Sequence, residues 1–176
     1  MSEDTIQATE QSRLRRQGRL VFYHPNSKGS GCALQLDMRL NAGEERRYDC
    51  FFLSMARQKN VATKTDGREV PASFDWESRL TAKLGFLDVC EIITVLEGRR
   101  PAVGNGRGGL FHASGDGNTV IDFRRSEEPA GYSVALSRKA NGSAQPVRMQ
   151  LLLGEAEAAG LRCILHQGLF FLTFRA

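Results

Sequence analysis

The chain has 176 residues, 41% of them hydrophobic and 25% charged, with a formal net charge of +4. That is enough chain for a substantial core, and the composition excludes collagenous, low-complexity and disordered classes. The mild basicity admits a polyanionic partner without requiring one, and no apolar run approaches the roughly 20 residues that span a bilayer.

Residues 1–18 open polar and acidic (MSEDTIQATEQ), with no apolar stretch behind a basic start. A secretory signal is therefore not expected, and the protein is expected to be soluble and cytoplasmic. The same residues lack apolar periodicity and carry Arg13, Arg15 and Arg16, with Arg19 next. A flexible basic arm and a plain solvated tail fit this stretch equally. A single domain is expected over 19–176, with halves at about 19–98 and 109–176.

The first half reads as strands closing on a helix. Residues 20–23 (LVFY) form a short strand ended by the turn His24-Pro25-Asn26, and 27–31 form a flexible loop bearing Lys28. Over 32–40 the alternation is strict: Cys32, Leu34, Leu36, Met38 and Leu40 on one side, Ala33, Gln35, Asp37 and Arg39 on the other. After a turn at 41–47, residues 48–57 are apolar on both faces, as in a central strand. Residues 58–73 are polar, with Lys59, Lys64 and Arg68, and are expected to be a long mobile loop. Period two returns over 74–84, with Phe74, Trp76, Leu80, Ala82 and Leu84 opposite Asp75, Glu77, Arg79, Thr81 and Lys83. Beyond Gly85 the period becomes helical through Phe86, Val89, Cys90, Ile93 and Leu96, and Gly98 marks the stop.

The glycine-rich stretch 99–109 neither follows a strand nor opens a helix, and no Lys-Ser/Thr follows it. It therefore connects the halves rather than cradling a phosphate. The second half repeats the plan. Strands are expected at 110–113, at 119–125 with Thr119, Ile121 and Phe123 inward, at 132–139 with Tyr132, Val134 and Leu136 inward, and through Val147, Met149, Leu151 and Leu153. Tight turns are expected at 114–118 and Asn141-Gly142. From Gly154 the stripe Ala158, Leu161, Ile164, Leu165, Gly168, Leu169 and Leu172 is helical, and the apolar end at 170–174 needs cover from the core or another subunit. The expected fold is α+β, a duplicated ββββα unit with two antiparallel four-stranded sheets and helices.

No catalytic constellation emerges. The three histidines lack metal-ligand spacing, and the four cysteines sit far apart in apolar patterns, as buried reduced thiols do. No enzyme activity, cofactor or metal is expected. What remains is a set of cations at strand positions or strand ends (Arg39, Arg57, Arg79, Lys83, Arg138, Lys139) with flat rings at Phe22, Tyr23, Trp76 and Phe111. Surfaces of this kind grip single-stranded nucleic acid, cations following phosphates and bases stacking on rings. The simpler reading stands beside it: Trp76 on the apolar face as core, and the alternating charges as a solvated face.

Two stretches resemble the Whirly family of single-stranded DNA-binding proteins. Lys28-Gly29-Ser30-Gly31-Cys32-Ala33-Leu34 is similar to the Lys-Gly-Lys-Ala-Ala-Leu with which those proteins begin their second strand. Phe74-Asp75-Trp76, with 84–92 (LGFLDVCEI), is similar to the family's Tyr-Asp-Trp and the strand-to-helix segment after it. Ser30-Gly31 stands where the family has its second lysine, and 58–73 does not align. The resemblance implies two antiparallel sheets packed like blades, helices forming a tetramer core, and single-stranded DNA bound with little sequence preference near the Lys28 loop and the segment 74–76. Because the fold family also has RNA-binding members, RNA stays open as the partner.

The expectation is thus a non-enzymatic homo-oligomer, a tetramer on the resemblance, that binds single-stranded DNA or RNA in DNA transactions or transcriptional regulation. Lys28, Arg39, Arg79 and Lys83 would hold phosphates, with Trp76, Phe22 or Phe111 near the bases. The alternatives are an oligomeric scaffold of the same fold without nucleic-acid binding, and a cysteine-dependent enzyme with one reactive thiol.

Overall fold

The computed structural model describes residues 19–40, 49–65, 67–106 and 108–174. The expected basic arm, the turn at 41–47 and the strand start at Tyr48 lie outside the described residues.

The first sheet is an antiparallel meander of β1 (Arg19–His24), β2 (Cys32–Arg39), β3 (Cys50–Asn60) and, on the far edge of β3, β7 (Leu80–Leu84). A small hairpin, β4 (Thr63–Thr65) with β5 (Arg68–Val70), and the two-residue β6 (Ser73–Phe74) stand between β3 and β7 in the chain. Strand β6 continues the edge pairing along the end of β3 through Gln58↔Phe74. Helix α1 (Phe86–Leu96) follows β7. The second sheet is the meander β8 (Leu110–Ser114), β9 (Gly117–Ser126), β10 (Gly131–Ala140) and β11 (Val147–Leu153), followed by helix α2 (Glu155–Phe174).

Both sheets turn an apolar face to one core. Leu34, Leu36, Phe51, Leu53, Met55, Ala82 and Leu84 come from the first sheet, and Ile121, Phe123, Val134, Leu136, Met149, Leu151 and Leu153 from the second; Val89, Ile93, Leu161 and Leu165 come from the helices. The expected inward sets Thr119/Ile121/Phe123 and Tyr132/Val134/Leu136 are buried as the alternation demands, whereas Val147 at the strand start is exposed.

The two helices begin alike and are tied crosswise. In the first turn of α1, Asp88 Oδ2 accepts the Gly85 amide at 2.9 Å, and Oδ1 accepts from His112 Nε2 of β8 at 3.2 Å. In the first turn of α2, Glu157 Oε2 accepts the Gly154 amide at 2.9 Å, and Oε1 accepts from His24 Nε2 of β1 at 2.8 Å. Each carboxylate satisfies an orphan amide at its helix start and ties that helix to the first strand of the opposite half. His166 of α2 adds a third bond across the halves, to Glu97 at the end of α1, 3.1 Å away.

Three expectations are corrected. The strand expected over 74–84 is interrupted, because Asp75 Oδ1 accepts the Ser78 amide at 3.2 Å and turns the chain between β6 and β7. Residues 58–73 are not an open loop: β3 runs on to Asn60 and the hairpin follows. In α1 the buried set is Val89, Ile92, Ile93, Val95 and Leu96, while Phe86 at the first position is 48% exposed. The helix is buried over a wider arc than one stripe because it packs on β7, β9 and α2 together. The stop at Gly98 is found as expected, at a φ of 71°.

Helix α2 makes its closest approach to the first sheet at Gly168, where a Cβ would lie 2.1 Å from Cζ of the buried Phe51 ring. A Cβ at Gly160, two turns earlier, would meet nothing within 4 Å. Alanine at the two sites should therefore act in opposite directions. Gly168→Ala is expected to cost about 1–2 kcal/mol net, overpacking outweighing the gain in helix propensity. Gly160→Ala should stabilise by about 0.5–1 kcal/mol. Denaturant titration of the two variants reads both signs.

Candidate nucleic-acid interface

Period two fixes what the first sheet shows to solvent once its core face is set. The ladder places Tyr23 beside Ala33 and Ala56, then Val21 beside Gln35, Ser54 and Thr81, then Arg19 beside Asp37, Phe52 and Lys83, and last Arg39 beside Cys50. The sequence-derived site residues fall into two groups on this face, about 20 Å apart along β2, with two residues elsewhere.

At one end three rings gather next to the fully buried Ala33 and Ala56, whose small side chains leave room on the sheet. Tyr23, 57% exposed, lies 5.4 Å from Phe74 and 6.5 Å from Trp76, the latter edge-on at 87°. Trp76 is half-buried, neither sealed in the core nor free. Its segment is held by the Asp75 amide donating to the Arg57 carbonyl at 2.8 Å and by Arg79 Nη1 donating to the Trp76 carbonyl at 2.7 Å. The Ser78 hydroxyl and amide keep the Asp75 carboxyl below its ordinary range, so it is anionic and turned to its own turn. Arg79 is exposed in this turn rather than on a strand face, which corrects its expected place.

The Lys28 loop abuts the same end and is not the flexible loop expected. Gln58, buried in β3, spends its whole amide on it and on its own strand. Its Oε1 accepts the Asn26 and Gly31 amides at 2.9 and 3.1 Å, and its Nε2 donates to the Asn26 and Asn60 carbonyls at 3.0 and 3.1 Å. A Cβ at Gly31 would lie 2.4 Å from that Oε1, so only glycine closes this contact. Asn26 Oδ1 accepts the amides of Lys28 and Ser30 at 3.0 and 3.1 Å. Lys28 thus projects from a fixed loop, exposed and with no ion-pair partner among the described residues.

At the other end Arg39 sits over the Phe52 ring, 5.7 Å from its centroid, with Lys83 beside Phe52 in register. A guanidinium on a ring is a platform that a base or a phosphate can extend. Phe22 is a correction: it pairs with Leu34 and packs against the core, because its parity is that of Leu20. Phe111 is 63% exposed but belongs to β8, on the edge of the second sheet. Phe52 and Gln58 were missed by sequence reasoning, the first hidden in a run apolar on both faces, the second in a stretch read as loop.

The cysteines divide differently from expectation: Cys32 and Cys50 are buried, Cys90 half-buried, and Cys163 on α2 exposed. Burial pushes the Cys32 thiol up to about 11 and raises Cys50 and Cys90 as well, which disfavours the thiolate a nucleophile needs. Among the described residues no group of three or more His, Cys, Asp or Glu side chains is arranged to hold a metal, and no helix is long and apolar enough to cross a membrane.

No family model matches the chain, and no curated protein matches it significantly. Solved structures do. Trypanosoma brucei MRP1/MRP2 matches with a TM-score of 0.62 at 17% identity, over 99% of this chain and 97% of that one. Arabidopsis thaliana WHY1, a Whirly protein, matches at 0.62 and 17%, over 89% and 88%. A guide-RNA-binding protein complex bound to its RNA matches at 0.61 and 18%, over 93% and 97%. These proteins share the α+β fold of this chain.

The cysteine assignment is directly testable. Alkylation of the native protein near pH 8 is expected to label Cys163 readily and to leave Cys32 and Cys50 unlabelled until denaturant is added, as read by mass spectrometry of the peptides. Rapid native labelling of Cys32 would contradict its burial.

Proposed function

We propose that this chain is a non-enzymatic protein that binds single-stranded nucleic acid, DNA in the first instance, on the outer face of its first sheet, and that it acts as a homo-oligomer in DNA transactions or transcriptional regulation. The observation that carries the reading is the Tyr23–Phe74–Trp76 cluster on a solvent-facing sheet end, flanked by Lys28 on a pinned loop and by Arg79. Rings at this spacing give bases a surface to stack on, and the flanking cations take the phosphates. Arg39 and Lys83 continue the track at the far end of the face. The motifs similar to Whirly proteins favour DNA, and the likeness of fold to a guide-RNA-binding complex favours RNA as the second reading.

The two meanders, each closed by a helix whose capping carboxylate binds a histidine of the other half, support a duplicated ββββα unit in one domain that begins at β1. Four unpaired cysteines suit a reducing compartment such as the cytoplasm.

The test is fluorescence anisotropy with labelled single strands of about 30 nucleotides, DNA and RNA of one sequence, across several salt concentrations and against duplex competitor; that length covers more than one site at roughly 4–16 nucleotides each. Binding is expected to weaken steeply with salt and to resist duplex competition. Trp76→Ala should cost about 1–3 kcal/mol, the worth of a stacked base, and Lys28→Glu with Arg79→Glu should lose most of the remainder. Absence of binding at low salt would turn the assignment to a scaffold of the same fold.

The oligomer rests on α2. Phe170, Phe171 and Phe174 are 60%, 44% and 66% exposed, beside an apolar cleft of about 440 Å³ between Leu20, Leu36, Met38, Phe51 and Ile164. So much aromatic surface on one helix end is what a subunit interface covers. Phe170→Ser with Phe174→Ser is expected to reduce the mass seen by light scattering from a tetramer toward monomer. An unchanged mass would place the interface elsewhere.

A further inference from the structure

We infer that the outer face of the second sheet carries a second phosphate-binding track, organised by the buried carboxylate of Asp122; the inference rests on the single-strand reading above. The core of this sheet takes Ile121, Phe123, Val134, Leu136, Met149 and Leu151, so the alternate positions face away from it. Asp122 is one of these outward positions, yet it is 5% exposed. Its cover is two guanidiniums. Arg124, on the same strand, donates through Nε to Oδ1 at 3.0 Å and through Nη2 to Oδ2, and Arg148 of β11 donates through Nη2 to Oδ2 at 3.3 Å. Arg148 is further fixed on Gln150 Oε1 at 3.3 Å, and Gln150 donates to Ser133 Oγ at 3.0 Å.

One guanidinium would neutralise a buried carboxylate. The second leaves a surplus positive charge on the sheet, on side chains that stay 53% and 47% exposed and retain N–H donors beyond those used on Asp122. Asp122 is the single carboxylate among the outward strand residues of this face, and it is fully engaged, so no strand position presents a free carboxylate to an approaching phosphate. Around the pair the middle strand is small, with Ser133, Ala135 and Ser137, flanked in the same rows by Leu152 and Val120, and the margins hold exposed Lys139 and the Phe111 ring. Fixed arginine forks on an open sheet face match the phosphodiester backbone of an extended strand. This also gives Phe111 a place apart from the Trp76 cluster.

The test compares the intact wild-type protein with a triple variant, Asp122→Asn, Arg124→Gln and Arg148→Gln, which leaves no unpaired buried charge. The probe is labelled oligo(dT) of about 30 nucleotides, and the readout is the slope of log affinity against log salt. Each lost phosphate contact on a single strand removes about 0.7 from the slope. The triple variant should therefore bind at least about tenfold more weakly at low salt, with a slope shallower by about 1.4. Wild-type binding with an unchanged slope in the variant overturns the second track and leaves the Trp76 surface standing; failure of the wild type to bind overturns both. If the triple variant melts early by circular dichroism, Phe111→Ala with Lys139→Gln, which touches no buried group, replaces it. A loss of affinity there supports the track, and unaltered binding overturns it.

Discussion

Neither sheet of this protein can bury its apolar face alone, and the structure depends on closing the two faces against each other. Six strands and both helices contribute to the resulting core. The closure is tight enough at one point, Gly168 against Phe51, that a single methyl group does not fit. Around it the three histidines bond across the halves, two of them to the carboxylates that cap the helix starts. Helix entry and the docking of one half on the other are thus set by the same side chains.

Shared burial has a consequence for function. Because strand side chains alternate, using the inner faces for the core commits every second residue to the outside. The aromatic cluster, the Arg39–Phe52 stack and the Arg124–Asp122–Arg148 group all stand on such outward positions or on turns beside them. The first and the last are also stiffened. Gln58 pins the Lys28 loop, the Asp75 turn holds Trp76, and Asp122 holds two guanidiniums. Groups held this way would lose less entropy on engaging a flexible polyanion, so a modest net charge of +4 is compatible with the proposed binding.

The exposed end of α2 contrasts with these polar surfaces. Its phenylalanines contact one another, at 5.6 and 5.9 Å, and Phe171 lines the apolar cleft together with Leu20, Leu36 and Phe51.

The alternation over 32–40 and 132–139 was enough to orient β2 and β10, because period two has only two settings and burial selects one. The same logic failed at Phe22, where a run of four apolar residues gives parity nothing to choose between. It failed again at 74–84, where the pattern continued through a turn that one carboxylate–amide bond decides. A polar composition at 58–73 concealed Gln58, since an amide that bonds a distant loop looks like any solvated glutamine until that loop is in place. The sequence by itself determined the α+β class, the core faces of β2, β9 and β10 and the candidate cations, all of which follow from local periodicity and composition. Only the tertiary structure decided which of those cations and rings stand together, because that depends on contacts between strands and loops tens of residues apart.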